Sequence, residues 1–141
     1  MCKWANPSKG GDMEYQELFE IALQAQQMAY AKYSKFKVGA AVKFKNGKVY
    51  SGCNIENASY GATVCAERVA IWKAISEGEK AQDIEALCLV TSTPQGDVPC
   101  GMCLQVLSEF MPKEAPLLIA NSQGIILHKK WTDFLPHPFE L

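Results

Sequence analysis

The chain has 141 residues, 48% of them hydrophobic and 21% charged, which gives room for one core and is the make-up of an ordinary soluble globule. A formal charge of −1 argues against a polynucleotide partner, whose backbone calls for a basic surplus. No apolar run approaches the ~18 residues of a membrane span and no signal peptide opens the chain, so a cytoplasmic protein with no membrane partner is expected.

Met1 to Gly11 is polar and aperiodic, and residues 1–12 are read as a flexible tail ahead of a single catalytic domain over 13–141. From Glu14, Leu18, Ile21, Ala22, Ala25 and Met28 or Ala29 recur at helical spacing, predicting an amphipathic helix to about Tyr30. Val38 to Phe44 and Val49 to Ile55 are partly alternating apolar runs. They meet at Asn46-Gly47, a pair that supplies positive φ angles, and so predict a hairpin. Ala66 to Ile75 reads as a second helix, closed by Gly78. Ile84 to Thr91, broken only by Glu85, suits a central strand, and Gly101 to Phe110 a third helix opening after Pro99. Leu117 to Ala120 and Ile125 to Leu127 complete the strands, with a short helix near Trp131 to Leu135. The order α-β-β-α-β-α-β-β(-α) implies an α/β fold with a mixed five-stranded sheet and helices packed on its faces.

Six cysteines, at 2, 53, 65, 88, 100 and 103, are expected to be metal ligands or small core residues in a reducing compartment. The informative ones lie in Cys65-Ala66-Glu67 and Pro99-Cys100-Gly101-Met102-Cys103. A Cys-x-x-Cys pair on the first turn of a helix places two sulfurs on one side of one zinc ion, and Cys65 supplies a third. Three protein ligands leave one tetrahedral position for water, the mark of a catalytic zinc rather than a closed structural one.

Three thiolates outweigh the ion's charge, and two features offset them: predicted helix N-termini at both ligand segments, and Arg68, placed to donate to a thiolate from outside the ligand set. Glu67 lies two residues after a ligand. It can reach the metal's water without binding the metal, take its proton and later give it up. The spacing, a Cys ligand, one residue and a Glu, then Pro-Cys-x-x-Cys, resembles that of the zinc deaminases, which implies attack of the activated water on C4 of a cytosine, with Glu67 protonating ring N3 and then the departing ammonia.

A closed four-cysteine site would need Cys53, Cys88 or Cys2 as fourth ligand, but Cys53 and Cys88 fall in predicted strands, where a small buried thiol is the usual role. A thioredoxin-like pair would leave Cys65 and Glu67 unexplained. His128 and His137 lie outside the cluster and are read as surface or packing residues.

Four ordered segments carry a resemblance over nearly the whole folded length: 33–41 (Tyr33-Ser34-Lys35-Phe36 onward), 52–60 (Gly52-Cys53-Asn54-Ile55-Glu56-Asn57 onward), Cys65-Ala66-Glu67-Arg68 and Pro99 to Cys103. Together they resemble the small homotetrameric cytidine deaminases. The resemblance implies the three-layer α/β/α fold of that family, one Zn2+ per chain, and a nucleoside substrate in a salvage role. Asn54 and Glu56 would hold the ribose, Phe36 would pack on the pyrimidine, backbone at Ala66 would contact the base, and Phe139 would reach a neighbouring subunit's site in a homotetramer. One departure is clear: Leu104-Gln105 stands where the family usually has Arg-Gln. Competing readings are a deaminase of a modified cytosine such as blasticidin S, and a zinc-stabilised domain without turnover. Glu67 discriminates against the second, because a structural site has no use for that carboxylate.

Overall fold

The computed structural model describes residues 14–141. The tail expected over 1–12, and Cys2 within it, lie outside the described residues.

Helix α1 (Gln16–Gln27) is followed by strands β1 (Gly39–Phe44) and β2 (Val49–Cys53), helix α2 (Ala66–Ser76), strand β3 (Ile84–Val90), helix α3 (Gly101–Phe110), and strands β4 (Leu117–Asn121) and β5 (Gly124–Lys129). Short 3-10 turns sit at Tyr60–Ala62 and Trp131–Asp133. The sheet order is β2-β1-β3-β4-β5, with β3 and β4 parallel and the other neighbours antiparallel. This is the mixed five-stranded sheet expected from the element order.

Side-chain alternation along the central strands divides the interior into two halves. On one face Ala41, Ala86, Cys88, Val90, Leu118 and Ala120 pack against Leu18, Phe19 and Ala22 of α1. On the other, Val42, Leu87, Leu89 and Ile119 pack against Ala70, Ile71 and Ala74 of α2 and Leu104 and Leu107 of α3. Near-complete burial on both faces explains why β3 reads as a continuous apolar run rather than an alternating one.

Three features differ from the sequence reading in instructive ways. The first helix stops at Gln27 rather than about Tyr30, because Tyr30 is drawn into sheet-like pairing with the chain after β2. Its N–H donates to Asn54 O at 3.0 Å and its carbonyl accepts from Glu56 N at 2.9 Å. In the hairpin turn only Gly47 takes a positive φ, of 87°, and Asn46 does not. Gly47 N donates to Phe44 O and Phe44 N to Lys48 O, so the loop is a type I turn closed by a left-handed glycine rather than a two-residue mirror turn. Cys53, read as a buried strand thiol, is half-exposed at the end of β2, whereas Cys88 is buried and its thiol pushed up to about 12 by that burial.

Helix α2 ends as expected, with Gly78 N donating to Ile75 O and Glu79 N to Ala74 O. Its first turn lies hard against β2: a Cβ at Gly52 would stand 2.6 Å from both Ala66 O and Ala70 N. Glycine at 52 therefore sets how close the N-terminus of α2, and Cys65 before it, can come to the sheet. No helix among the described residues is long and apolar enough to cross a membrane.

Candidate active site

Two helix N-termini converge beyond the carboxyl end of β3, where an open α/β sheet offers its crevice. Cys65 is the N-cap of α2 and Cys100 the N-cap of α3, both with extended backbone. Their carbonyls accept the first helical bonds, from Val69 N at 3.1 Å and Leu104 N at 2.9 Å. Neither sulfur caps its own helix, so both are left for another partner. Cys103, one turn into α3, is fully buried.

The three sulfurs lie within 4.8 Å of one another, and the Cys65 and Cys100 sulfurs are 3.8 Å apart. Two thiolates each ~2.3 Å from one tetrahedral zinc stand ~3.8 Å apart, so the spacing and the soft donors both suit that ion. Among the described residues no fourth cysteine joins the group. Cys53 and Cys88 stay in the sheet, and the closed four-cysteine alternative finds no support among them.

The electrostatics favour anionic sulfur. The hydrogen bond with Cys103 and then the Arg68 guanidinium hold the Cys65 thiol down, to about 5, against the opposing effect of burial. Cys103 is pushed up by the same bond and by burial, as befits two sulfurs sharing one proton. Arg68, 7% exposed, donates from Nη2 to Cys65 Sγ at 3.4 Å and stacks 5.7 Å from the centre of the Trp72 ring. Among the described residues its Nε is buried with no acceptor and no carboxylate pairs with it, so the cation serves as a counter-charge to sulfur.

Glu67 is 3% exposed on the first turn of α2, and burial pushes its carboxyl up to about 7. It lines a cavity of about 260 Å3 together with Cys65, Ala66 and Cys100. Phe36, Asn54 and Glu56 line the same cavity, so the structure brings together every predicted site residue except Arg68 and Cys103, which stand behind the wall, and Phe139.

Asn54 does more than the sequence suggested. Its Nδ2 donates to Phe36 O at 2.8 Å and its Oδ1 accepts from Val38 N at 2.9 Å, clamping the segment that presents the Phe36 ring. Glu56 Oε1 accepts from Tyr33 N at 2.8 Å and Ser34 N at 3.0 Å, and its bonds from Ser34 hold the carboxyl below its usual range. Each side chain keeps hydrogen-bonding capacity for a ligand.

Phe139 does not enter this cavity. Its ring is 70% exposed, while its backbone N–H donates to Gln105 Oε1 at 3.1 Å and its carbonyl accepts from Gln105 Nε2 at 2.9 Å. Leu104, the departure from the family pattern, is buried in the core on α3 and is not among the residues lining the cavity. Of the histidines, His128 lies tilted against the Tyr15 ring, away from the site.

Comparison with known proteins agrees with this geometry. Residues 13–119 match the family model described as the cytidine and deoxycytidylate deaminase zinc-binding region. The chain belongs to that family. A cytidine deaminase of Halalkalibacterium halodurans is 45% identical over 127 residues, covering 90% of this chain and 95% of that protein. The crystal structure of a cytidine deaminase from Burkholderia pseudomallei superposes with a TM-score of 0.85 at 41% identity, covering 89% of this chain and 98% of that one. A blasticidin-S deaminase of Bacillus cereus is 36% identical over 115 residues, covering 76% of this chain and 80% of that protein. The fold is the one the solved cytidine deaminases share, and the cysteine group stands in a zinc-binding region.

Sequence reasoning missed Ser34, Thr63, Thr91, Asp97 and Val98, which also line the cavity. They lie in connections or at a strand end, where no periodicity marks a residue's direction.

Proposed function

We propose that the chain hydrolyses cytidine and deoxycytidine to uridine and deoxyuridine with release of ammonia, using one zinc held by Cys65, Cys100 and Cys103. The observation that carries this reading is a buried carboxylate, Glu67, beside a three-sulfur group that opens onto a nucleoside-sized cavity. Residues 13–141 act as one catalytic domain.

Zinc, when bound, supplies a Lewis acid that makes a water acidic enough to attack at neutral pH. Asn54 and Glu56 hold the sugar hydroxyls, and Phe36 covers a face of the base. Ala66 N–H, a first-turn donor without an intrahelical partner, is available to the base carbonyl. Glu67 takes the proton of the attacking water and delivers it to N3 as the C–O bond forms at C4. It then carries the proton of the new hydroxyl to the amino nitrogen as the C–N bond breaks. A carboxyl raised toward neutrality is suited to both directions of transfer.

The test is incubation of the zinc-loaded protein with cytidine and deoxycytidine, followed by loss of cytosine absorbance and by ammonia release. Uridine and ammonia in equal amounts are expected. Full zinc loading with neither product overturns the reading. Deamination of a modified cytosine is the second reading, favoured by the blasticidin-S deaminase match, and the same assay on that nucleoside decides it.

Arg68 tunes the sulfur charge. In Arg68→Ala, activity falls about 10- to 100-fold with zinc content near one per chain, the loss typical for a residue that supports ligands. Unchanged activity would remove the role. The exposed Phe139 ring, fixed through its backbone to Gln105, supports a homotetramer in which it completes a neighbour's site. The charge of −1 and the thiol-built site support a small-molecule enzyme of the cytoplasm, with no nucleic-acid partner.

A further inference from the structure

Thr91 and Asp97 form a polar pair in a wall of the cavity that the deamination chemistry leaves unused. Thr91 follows β3 directly and is 2% exposed, and its Oγ1 donates to Asp97 Oδ2 at 2.7 Å. Asp97 lies on the connection to α3, three residues ahead of Cys100, and both residues line the cavity alongside apolar Leu89 and Val98.

The connection is pinned from both sides. Gly96 N donates to Thr93 O at 2.9 Å, and Asn121 Nδ2 to Pro94 O at 2.9 Å. A carboxylate offers about four acceptor sites, and Thr91 fills one of them. Among the described residues no hydrogen bond reaches Asp97 Oδ1. Placing a carboxylate beside apolar side chains costs free energy unless its acceptors find donors, so the wall is built for a ligand that brings one.

The position of that donor on the substrate follows by elimination, resting on the deamination reading above. With C4 at the sulfur group, N3 at Glu67, the base carbonyl at Ala66 N–H and N1 toward the sugar residues Asn54 and Glu56, the C5–C6 edge alone is unassigned. Of the remaining lining residues, Ser34 is bonded to Glu56, Val38 to Asn54 and Thr63 to Asn57 beside them, on the sugar side, which leaves Leu89, Thr91, Asp97 and Val98 to face that edge. We propose that Asp97, oriented by Thr91, is a specificity-determining residue that accepts a hydrogen bond from a donor substituent on C5 of the cytosine, such as a hydroxymethyl group.

The test compares 5-hydroxymethylcytidine with 5-methylcytidine, which differ by one hydroxyl and so share nearly all of their shape. Two readouts are taken on wild type, Asp97→Asn and Asp97→Val: the ratio of kcat/KM for the two nucleosides, and the ratio of their Kd values measured by calorimetry on zinc-loaded protein carrying Glu67→Gln. In wild type both ratios favour the hydroxymethyl nucleoside by roughly tenfold or more, the worth of a hydrogen bond to a charged group. They fall to near one in Asp97→Val and to an intermediate value in Asp97→Asn, which keeps a neutral acceptor. Zinc content and a cooperative thermal transition certify the fold of each variant.

Ratios that are the same in wild type and Asp97→Val overturn the inference. A calorimetric preference that disappears in Asp97→Val, in a protein that turns over neither nucleoside nor cytidine itself, upholds Asp97 and overturns the deamination reading instead.

Discussion

Glu67→Gln lowers cytidine turnover by about three orders of magnitude, while zinc stays near one per chain. The substitution keeps the size and shape of a side chain that is 3% exposed, so the first turn of α2 and the cavity wall remain as they are. What is lost is the ability to accept the water's proton and return it to nitrogen, and no neighbouring group replaces it. The other carboxylates lining the cavity are held at other places in its wall, Glu56 by Tyr33 and Ser34 N–H and Asp97 by Thr91. The thermal midpoint is expected to hold or rise, because a neutral amide is cheaper to bury than a carboxyl that burial already drives toward neutrality. Loss of activity with an intact or higher midpoint separates a chemical role from a structural one. Retention of even a tenth of the wild-type rate would remove Glu67 from the proton path.

That Cys65, Cys100 and Cys103 come together as a group able to hold a metal, with Glu67 on the same cavity, was legible from spacing. Two sulfurs on one helical turn and a carboxylate two residues past a third sulfur leave few other uses for those residues. The helices packed on the sheet were legible for a related reason: their apolar faces repeat at 3.6 residues, as at Leu18, Ile21, Ala22 and Ala25.

What long-range pairing decides was not legible. Tyr30 continues the helical pattern of α1, yet it leaves the helix to pair with Ile55, a residue 25 positions away whose approach no local pattern announces. Asn54 has the same history. Its place after β2 suggested a sugar contact, but its clamp on Phe36 O and Val38 N depends on how the 31–38 segment crosses it in space. Thr91 and Asp97 were hidden for a third reason. One reads as the end of a buried strand and the other as part of a polar connection, and only the folded chain puts them on one wall.

Cys100→Ser abolishes zinc retention and activity without weakening the fold. Cys100 is exposed and stands at the N-cap of α3 with extended backbone, and its sulfur makes no capping bond. Serine is among the preferred N-cap residues, worth about 1 kcal/mol over a residue that cannot cap, so the metal-free helix gains a partner for its free N–H groups. As a zinc ligand the same hydroxyl is poor, because it stays protonated where a thiol beside a metal ionises. Zinc affinity should therefore fall by more than about a hundredfold, beyond what the loss of a supporting residue costs.

Two thermal scans separate these effects. Added zinc raises the midpoint of the wild type, since an ion that binds the folded state alone stabilises it by mass action, and it leaves the variant unmoved. Without zinc the variant melts at or above the metal-free wild type. Stoichiometric zinc in the variant after dialysis against metal-free buffer would show that Cys100 is not a ligand, and the three-sulfur site would have to be redrawn around Cys65 and Cys103.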